Sequence, residues 1–214
     1  MSDSPPAAAR TLALLAAGLT AVLIGAWAIR EAGRTAVPHT EAATVLAAAR
    51  PLPPFELVGA DGRPFDRDAL LGRYTFVFFG FSHCPDLCPA TLTELALARR
   101  SLADLPAARL PAVVMVGIDQ RRDTQPALAR YVAHFDPGFT AVGGDAAAVR
   151  RLAAALGAVV DSPAAADEGY RVEHTAALFL IDPEAALAAV FPSPHVARTL
   201  AADYRSIVAG RGPT

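Results

Sequence analysis

The chain has no lysine. Its 19 basic residues are all arginine, a bias that reads as genome composition rather than function. Against 21 acidic residues they leave a net charge of −2, and no basic run appears along the sequence. This argues against nucleic acid as a main partner. No internal repeat is visible, which excludes a solenoid or propeller. Cysteine is scarce too, with two in 214 residues. That allows one disulfide at most and none of the frameworks that hold small secreted domains together.

Apolar residues, by contrast, make up 53% of the chain, more than a soluble domain usually needs. Part of the excess is alanine, and part is concentrated in one place. From Thr11 to Ile29 the run TLALLAAGLTAVLIGAWAI carries no charge. At ~1.5 Å per residue it reaches about 28 Å, close to the thickness of a bilayer core. Arg10 and Arg30 bracket it, and Trp27 stands where an interfacial aromatic belongs. The expectation is a tail at 1–10 and one N-terminal transmembrane helix at 11–29. The rival is a cleaved signal peptide with AWA at 26–28 as its cleavage site, whose apolar region would exceed the usual ~7–15 residues. Either reading sends the remainder to the membrane or across it. Arg30 and Arg34 offset Arg10 and the terminal amine, so the positive-inside rule hardly discriminates orientation.

Residues 30–50 are polar, alanine-rich and followed by prolines, and read as a tether with a short helix near 40–49. The folded domain is expected over 51–210, with its first element near Phe55. FELVGADGRPF has apolar ends about Asp61-Gly62, a hairpin signal. YTFVFFGF is a continuous apolar run, as in a buried central strand, and PAVVMVGID is a second. Pro89 suits the first turn of a helix, and Leu92, Leu95, Ala96 and Leu102 follow at helical spacing. DTQPALARYVAHF opens on N-cap residues and continues as a helix. A short strand, a helix capped by Asp145 with an exit at Gly157, a hairpin turning at Asp182-Pro183 and a closing helix ended by Gly210 complete the pattern. Strands alternating with helices predict an α/β sheet with helices on both faces.

Both cysteines lie in FFGFSHCPDLCPATL, at the junction of the first buried strand and the helix after it. A structural disulfide between Cys84 and Cys88 would close a very small loop and constrain the unfolded chain weakly. Two core cysteines are at odds with Pro85 and Asp86 between them, which belong to an exposed turn. Cys88 stands at a predicted helix N-terminus, where unpaired amides and the helix dipole favour a thiolate. Cys84 lies at the carboxyl end of a central strand, where open α/β sheets place their sites. Two thiolates on one loop attract soft metals, but a site needs a third donor. Of the five histidines, His39 reads as a solvated linker residue, His134 as a helix-surface residue and His195 as a capping or exposed residue. His83 adjoins Cys84 and can point away from whatever that thiol faces. His174, in YRVEHTAALFLID, precedes an apolar strand, where a loop edge can face the cysteines.

FFGFSHCPDLCPATLTEL, VGIDQRRDT and YRVEHTAALFLIDP, in this order, resemble the Sco/SenC family of copper proteins. The resemblance covers most of residues 50–210, and CPxxCP with a distant V-[DE]-H-[ST] is far more specific than either motif alone. It implies a membrane-tethered thioredoxin-like domain that helps assemble the binuclear copper centre of cytochrome c oxidase. Cys84, Cys88 and His174 fall on the family's copper ligands. Asp86 takes its inter-cysteine acidic position, as an outer-shell group or simply a turn former. Asp119 and the Arg122-Asp123-Thr124 stretch match residues near the site, as outer-shell groups or as a strand end followed by a helix cap. Gln120 stands where many members have proline, and Glu173 where many have aspartate; neither change touches a ligand.

Two thiolates and an imidazole suit Cu(I), an added oxygen donor would suit Cu(II), and structural zinc would normally demand four ligands. The resemblance thus implies a copper chaperone whose partners are the copper-bearing oxidase subunit and other copper chaperones. It would sit in the inner membrane, single-pass, with its domain in the periplasm or, in a eukaryote, the mitochondrial intermembrane space. The alternative is a thiol–disulfide oxidoreductase that cycles a Cys84–Cys88 disulfide to reduce the partner's cysteines. Against it, redox enzymes of this fold typically use Cys-x-x-Cys, one residue shorter, and His174 would be idle. A peroxidase-like thiol enzyme is weaker still, because no residues argue for a peroxide pocket.

Overall fold

A computed structural model describes residues 7–34, 38–161 and 173–211, with side chains at 14–27, 38–160 and 175–211. An N-terminal helix, α1 (Ala7–Arg34), is followed by β1 (Thr44–Pro51), β2 (Glu56–Gly59), β3 (Pro64–Asp66) and β4 (Thr75–Gly80). Then come α2 (Leu87–Ser101), β5 (Ala112–Gly117), α3 (Gln125–Ala133), β6 (Thr140–Gly143) and α4 (Ala146–Leu156). The short β7 (Val160–Asp161) and β8 (Glu173–His174), the hairpin β9 (Leu178–Ile181) and β10 (Ala186–Phe191), and α5 (Ala197–Gly210) complete the order.

Eight strands form one sheet in the order β1-β10-β9-β4-β5-β6-β2-β3. The β4–β5 and β5–β6 pairs are parallel and joined by α2 and α3, while β9 runs antiparallel against β4. All six residues of β4 are buried, and the strand alternation sends them to two cores. Phe76 and Phe78 point into the layer under α2, α3 and α5, which also takes Val113 and Met115 of β5 and Leu178 and Leu180 of β9. Val77 and Phe79 point into the opposite layer with Val114, Val116, Phe179 and the inner face of α4. The continuous apolar runs of the sequence thus follow from a strand covered on both faces.

The turns fall where their residues predict. β2 and β3 pair as a hairpin with Gly62 at φ 80° between them. The Asp145 carboxylate accepts the Ala147 and Ala148 N–H groups, both at 2.8 Å, and α4 leaves through Gly157 in the left-handed region. Asp182 accepts the N–H groups of Glu184 and Ala186 in the β9–β10 turn.

Two expectations are corrected, and the anchor is not found among the described residues. Residues 44–51, all but the last inside the stretch read as tether and short helix, form an edge strand paired with β10; sheet pairing overrides the helical preference of alanine. Gly210 is the last residue of α5 rather than the first beyond it. The predicted anchor lies in α1, yet among the described residues no helix is long and apolar enough to cross a membrane. The described side chains of α1 run only from Leu14 to Trp27, all exposed, a stretch of about 21 Å.

What docks the chain onto the domain before β1 is Asp203 of α5. Its carboxylate is 2% exposed and accepts three backbone N–H groups, from Glu41 at 2.7 Å, Ala42 at 2.9 Å and Ala43 at 2.8 Å. Bonds to a charged acceptor are stronger than neutral ones, and their loss strands buried donors. Asp203→Ala is expected to lower stability by about 3 kcal/mol, read as a lower urea midpoint at unchanged m-value. A loss below about 1 kcal/mol would mean that this clasp contributes only as an exposed pair does.

Candidate functional site

The chain leaves β4 at Gly80 and enters α2 at Leu87, so the intervening turn stands at the carboxyl edge of the sheet between the two cores. The Cys84 N–H donates to the Phe81 carbonyl at 3.2 Å, folding the turn back on the strand. Asp86 occupies the N-cap position of α2 but its side chain makes no capping bond. Instead the Cys84 sulfur accepts the backbone N–H of Cys88 at 3.4 Å, taking the place of the usual capping oxygen. One sulfur therefore takes part in capping the N-terminus of the helix.

The two thiols differ in surroundings. Cys84 is half-buried, whereas Cys88 is 1% exposed. Burial pushes the Cys88 thiol up to about 12, against the lowering effect of a backbone hydrogen bond from Phe81. Its sulfur fits because residue 80 is glycine: a Cβ there would lie 2.9 Å from Cys88 Sγ and 3.2 Å from the Phe78 ring.

A buried carboxylate fixes the turn. Asp123, its side chain 1% exposed, accepts the Ser82 N–H at 3.1 and 3.2 Å and the Ser82 hydroxyl. Burial raises its pKa above the usual carboxylate range, opposed by the two Ser82 hydrogen bonds. His83 Nδ1 lies 3.0 Å from Ser82 Oγ and 3.7 Å from Asp123, its ring largely in solvent. Asp119 is fully buried and holds Arg122 in an ion pair, and that guanidinium lies 5.8 Å over the Phe81 ring. Asp119 and Asp123 thus shape the loop, while Asp86 is exposed.

Across from the turn, His174 pairs through its backbone with Val160. Thr175 N–H then donates to the Val159 carbonyl at 2.9 Å, and the Val159 N–H to Thr175 Oγ1 at 2.9 Å. Thr175 and Ala177 line one cleft with Cys88, Leu87, Thr91 and His195. The topology therefore brings the neighbour of His174 to Cys88; the imidazole of His174 lies outside the described side chains. Among the described residues no three His, Cys, Asp or Glu side chains are grouped to hold a metal.

His195 departs from its expected capping or exposed role. It precedes the N-cap residue Val196, and its Nδ1 is buried without a partner among the described residues. Burial lowers its pKa, opposed by the charge of Glu94. The cap of α5 comes from Glu94, which accepts the Ala197 N–H at 2.5 Å. His134 and His39 are exposed, as expected. Sequence reasoning missed Ser82, whose partner lies 41 residues away, and Gly80, which a glycine inside an apolar strand does signal.

The SCO1/SenC family model matches residues 44–209. The mitochondrial SCO2 homologue of Bos taurus is 33% identical over 182 residues, 82% of this chain and 66% of that one; the chain thus spans less than two thirds of that relative's length. ScoI of Arabidopsis thaliana with copper bound superposes at a TM-score of 0.66 and 27% identity, over 73% of this chain and 97% of that one. ScoI of Bradyrhizobium japonicum with copper bound gives 0.64 and 26%, over 74% of this chain and 99% of that one. The sheet and its helices are accordingly the thioredoxin-like α/β fold of the Sco structures.

The unequal burial of the thiols has a direct readout. At neutral pH iodoacetamide is expected to modify Cys84 at least about tenfold faster than Cys88, followed by mass spectrometry of quenched samples. The Cys88 rate should climb as pH rises toward about 12, because only the thiolate attacks. Equal rates at neutral pH would contradict the burial of Cys88.

Proposed function

The chain belongs to the SCO1/SenC family, and from that premise we propose that it binds copper and delivers it to the binuclear copper centre of cytochrome c oxidase. The observation that carries the reading is the pair of thiols on one helix-capping turn, with the Thr175 segment across the cleft from Cys88. The proposed ligands are Cys84, Cys88 and His174. Two thiolates and one imidazole make a soft, three-coordinate set that suits Cu(I), and an added oxygen donor suits Cu(II). Each thiol gives up its proton on ligation. Asp123 and Asp119 act indirectly, by holding the loop that carries Cys84.

Transfer is a ligand exchange: the partner's donors displace the chain's own sulfurs and imidazole one at a time. The partners are the copper-bearing oxidase subunit, which receives the metal, and other copper chaperones. What supports a single membrane anchor is the uncharged run from Thr11 to Ile29 in the sequence, whose length suits a bilayer core. The domain then faces the periplasm, or the intermembrane space in a mitochondrion. A second reading, thiol–disulfide exchange with the partner's cysteines, draws on the accessible Cys84 above a buried Cys88, the order of an attacking and a resolving thiol. The high pKa of Cys88 disfavours it as a fast resolving group.

X-ray absorption of the Cu(I)-loaded full chain in detergent is expected to show two sulfurs and one nitrogen per copper; a shell of sulfur alone, or of nitrogen and oxygen alone, would refute the ligand set. The choice between the two readings falls to His174→Ala and Cys88→Ser compared in one oxidase-assembly assay. A dithiol reductase needs only its sulfurs, whereas a copper carrier needs its nitrogen ligand. Both variants are expected to fail, with His174→Ala partly restored by excess copper through mass action. Full oxidase activity with His174→Ala and none with Cys88→Ser would favour the reductase.

A further inference from the structure

Four buried side-chain atoms lack a hydrogen-bond partner among the described residues: Arg67 Nε, Gln125 Oε1, His195 Nδ1 and Tyr131 Oη. Arg67 and Gln125 each donate to a backbone carbonyl through a different atom, Nη2 to Glu184 and Nε2 to Val58. His195 borders a narrow cleft with Thr91 and Thr175, and a hydroxyl or a water there can meet its ring. Tyr131 has no second polar side-chain atom: its hydroxyl is the only one it carries.

Tyr131 stands on the inner side of α3 beside the buried Leu128 and Val132, packed on the cluster that contains Phe78, Leu92 and Met115. Cys88 Sγ rests on that same face: the point where a Gly80 Cβ would sit is 2.9 Å from the sulfur, 3.2 Å from Phe78 and 3.4 Å from Met115. After burial, the groups acting on the Tyr131 hydroxyl are Cys88, Cys84 and Asp123, in that order. The phenol and the Cys88 sulfur thus border the same core layer, the one that holds Phe78 and Met115. A hydroxyl seeks an acceptor. A thiol sulfur is a weak one, whereas a thiolate is a charged and much stronger one.

We propose that Tyr131 is a positioning residue for the metal-bound state: its O–H donates a hydrogen bond to the Cys88 sulfur when copper holds that sulfur as a thiolate. In the dithiol state the hydroxyl has no partner among the described residues. On metal uptake the Cys88 proton leaves for solvent, no electron moves, and the phenol keeps its own proton while sharing it with sulfur. Copper binding thus gains from relieving an unsatisfied buried donor, and the hydrogen bond draws electron density from one of the two sulfurs. The inference rests on the proposed ligation of copper by Cys88.

The test is Tyr131→Phe in the full chain, with three readouts. A purely structural tyrosine would lose stability on truncation. Here the metal-free variant is expected to melt no lower than wild type, and about 2–4 °C higher, because an unpaired buried hydroxyl is removed. Its Cu(I) affinity, by competition with a chromophoric chelator, should fall about 5- to 10-fold. Its Cu(II)–thiolate absorption should shift in energy. As a measurement independent of the variant's folding, wild type labelled with 3-fluorotyrosine carries four reporters, and the Tyr131 resonance should move when Cu(I) binds. Unchanged affinity and absorption, or a metal-free melting point lowered as far as the copper-loaded one, would overturn the proposal while leaving the copper reading intact. Failure of wild type to take up copper, or full uptake by Cys88→Ser, would instead remove the reading on which it stands.

Discussion

Burial of β4 on both faces is the constraint from which the site follows. A strand with Phe76 and Phe78 in one core and Val77 and Phe79 in the other cannot shift by one residue without exchanging the contents of the two layers. Its end at Gly80 is therefore fixed in space, and so is the origin of the turn that carries both cysteines. Gly80 itself is part of the constraint, because the sulfur of Cys88 occupies the room that a side chain there would need. The thiol pair is positioned by packing that exists before any ligand arrives. Such a site loses little conformational freedom on binding.

Two polar devices complete what packing begins. The Asp123–Ser82 bonds tie the loop after β5 to the loop after β4, joining the two strands of a parallel crossover at the edge where ligands are bound in open α/β sheets. The Asp119–Arg122 pair then lays a guanidinium over Phe81, bracing the first residue of the turn. A buried carboxylate is costly unless it is bonded. Asp123 meets that condition through Ser82 and Asp119 through Arg122.

Most of the fold was legible because the sequence signals and the tertiary demands agree. The apolar runs of β4 and β5, the Asp145 cap, the Gly157 exit and the Asp182-Pro183 turn each say locally what the sheet requires globally. β1 was not legible: TVLAAARP lacks the β-branched and aromatic residues of a strand beyond Thr44 and Val45, and it is held there by pairing with β10 and by Asp203 more than 150 positions away. Cys84 and Cys88 could be found from spacing and the helix start. The roles of Asp123 and Asp119 could not, because a strand end followed by a helix cap accounts for the same letters. His195 was misread for a related reason: its sequence neighbours resemble a helix start, and only the fold lays it against the α2 face that carries Thr91 and Glu94.

The unequal burial of the thiols bears on how a carrier can both hold and release a metal. A site with two exposed sulfurs would exchange readily but retain poorly, and one with two buried sulfurs would do the reverse. Here the half-exposed Cys84 sulfur caps a helix through a single N–H at 3.4 Å, a long contact that is readily given up. Cys88 is enclosed by Phe78, Met115 and α2, so an incoming donor reaches Cys84 first. On the proposed function, release then follows an order set by burial: the Cys84 bond breaks as the partner's donor arrives, and Cys88 lets go last. The price of that order is the desolvated thiolate at Cys88, which needs donors on the protein side of the sulfur. The Phe81 N–H is one, and on the positioning role proposed for it the Tyr131 hydroxyl, without a partner among the described residues, is another.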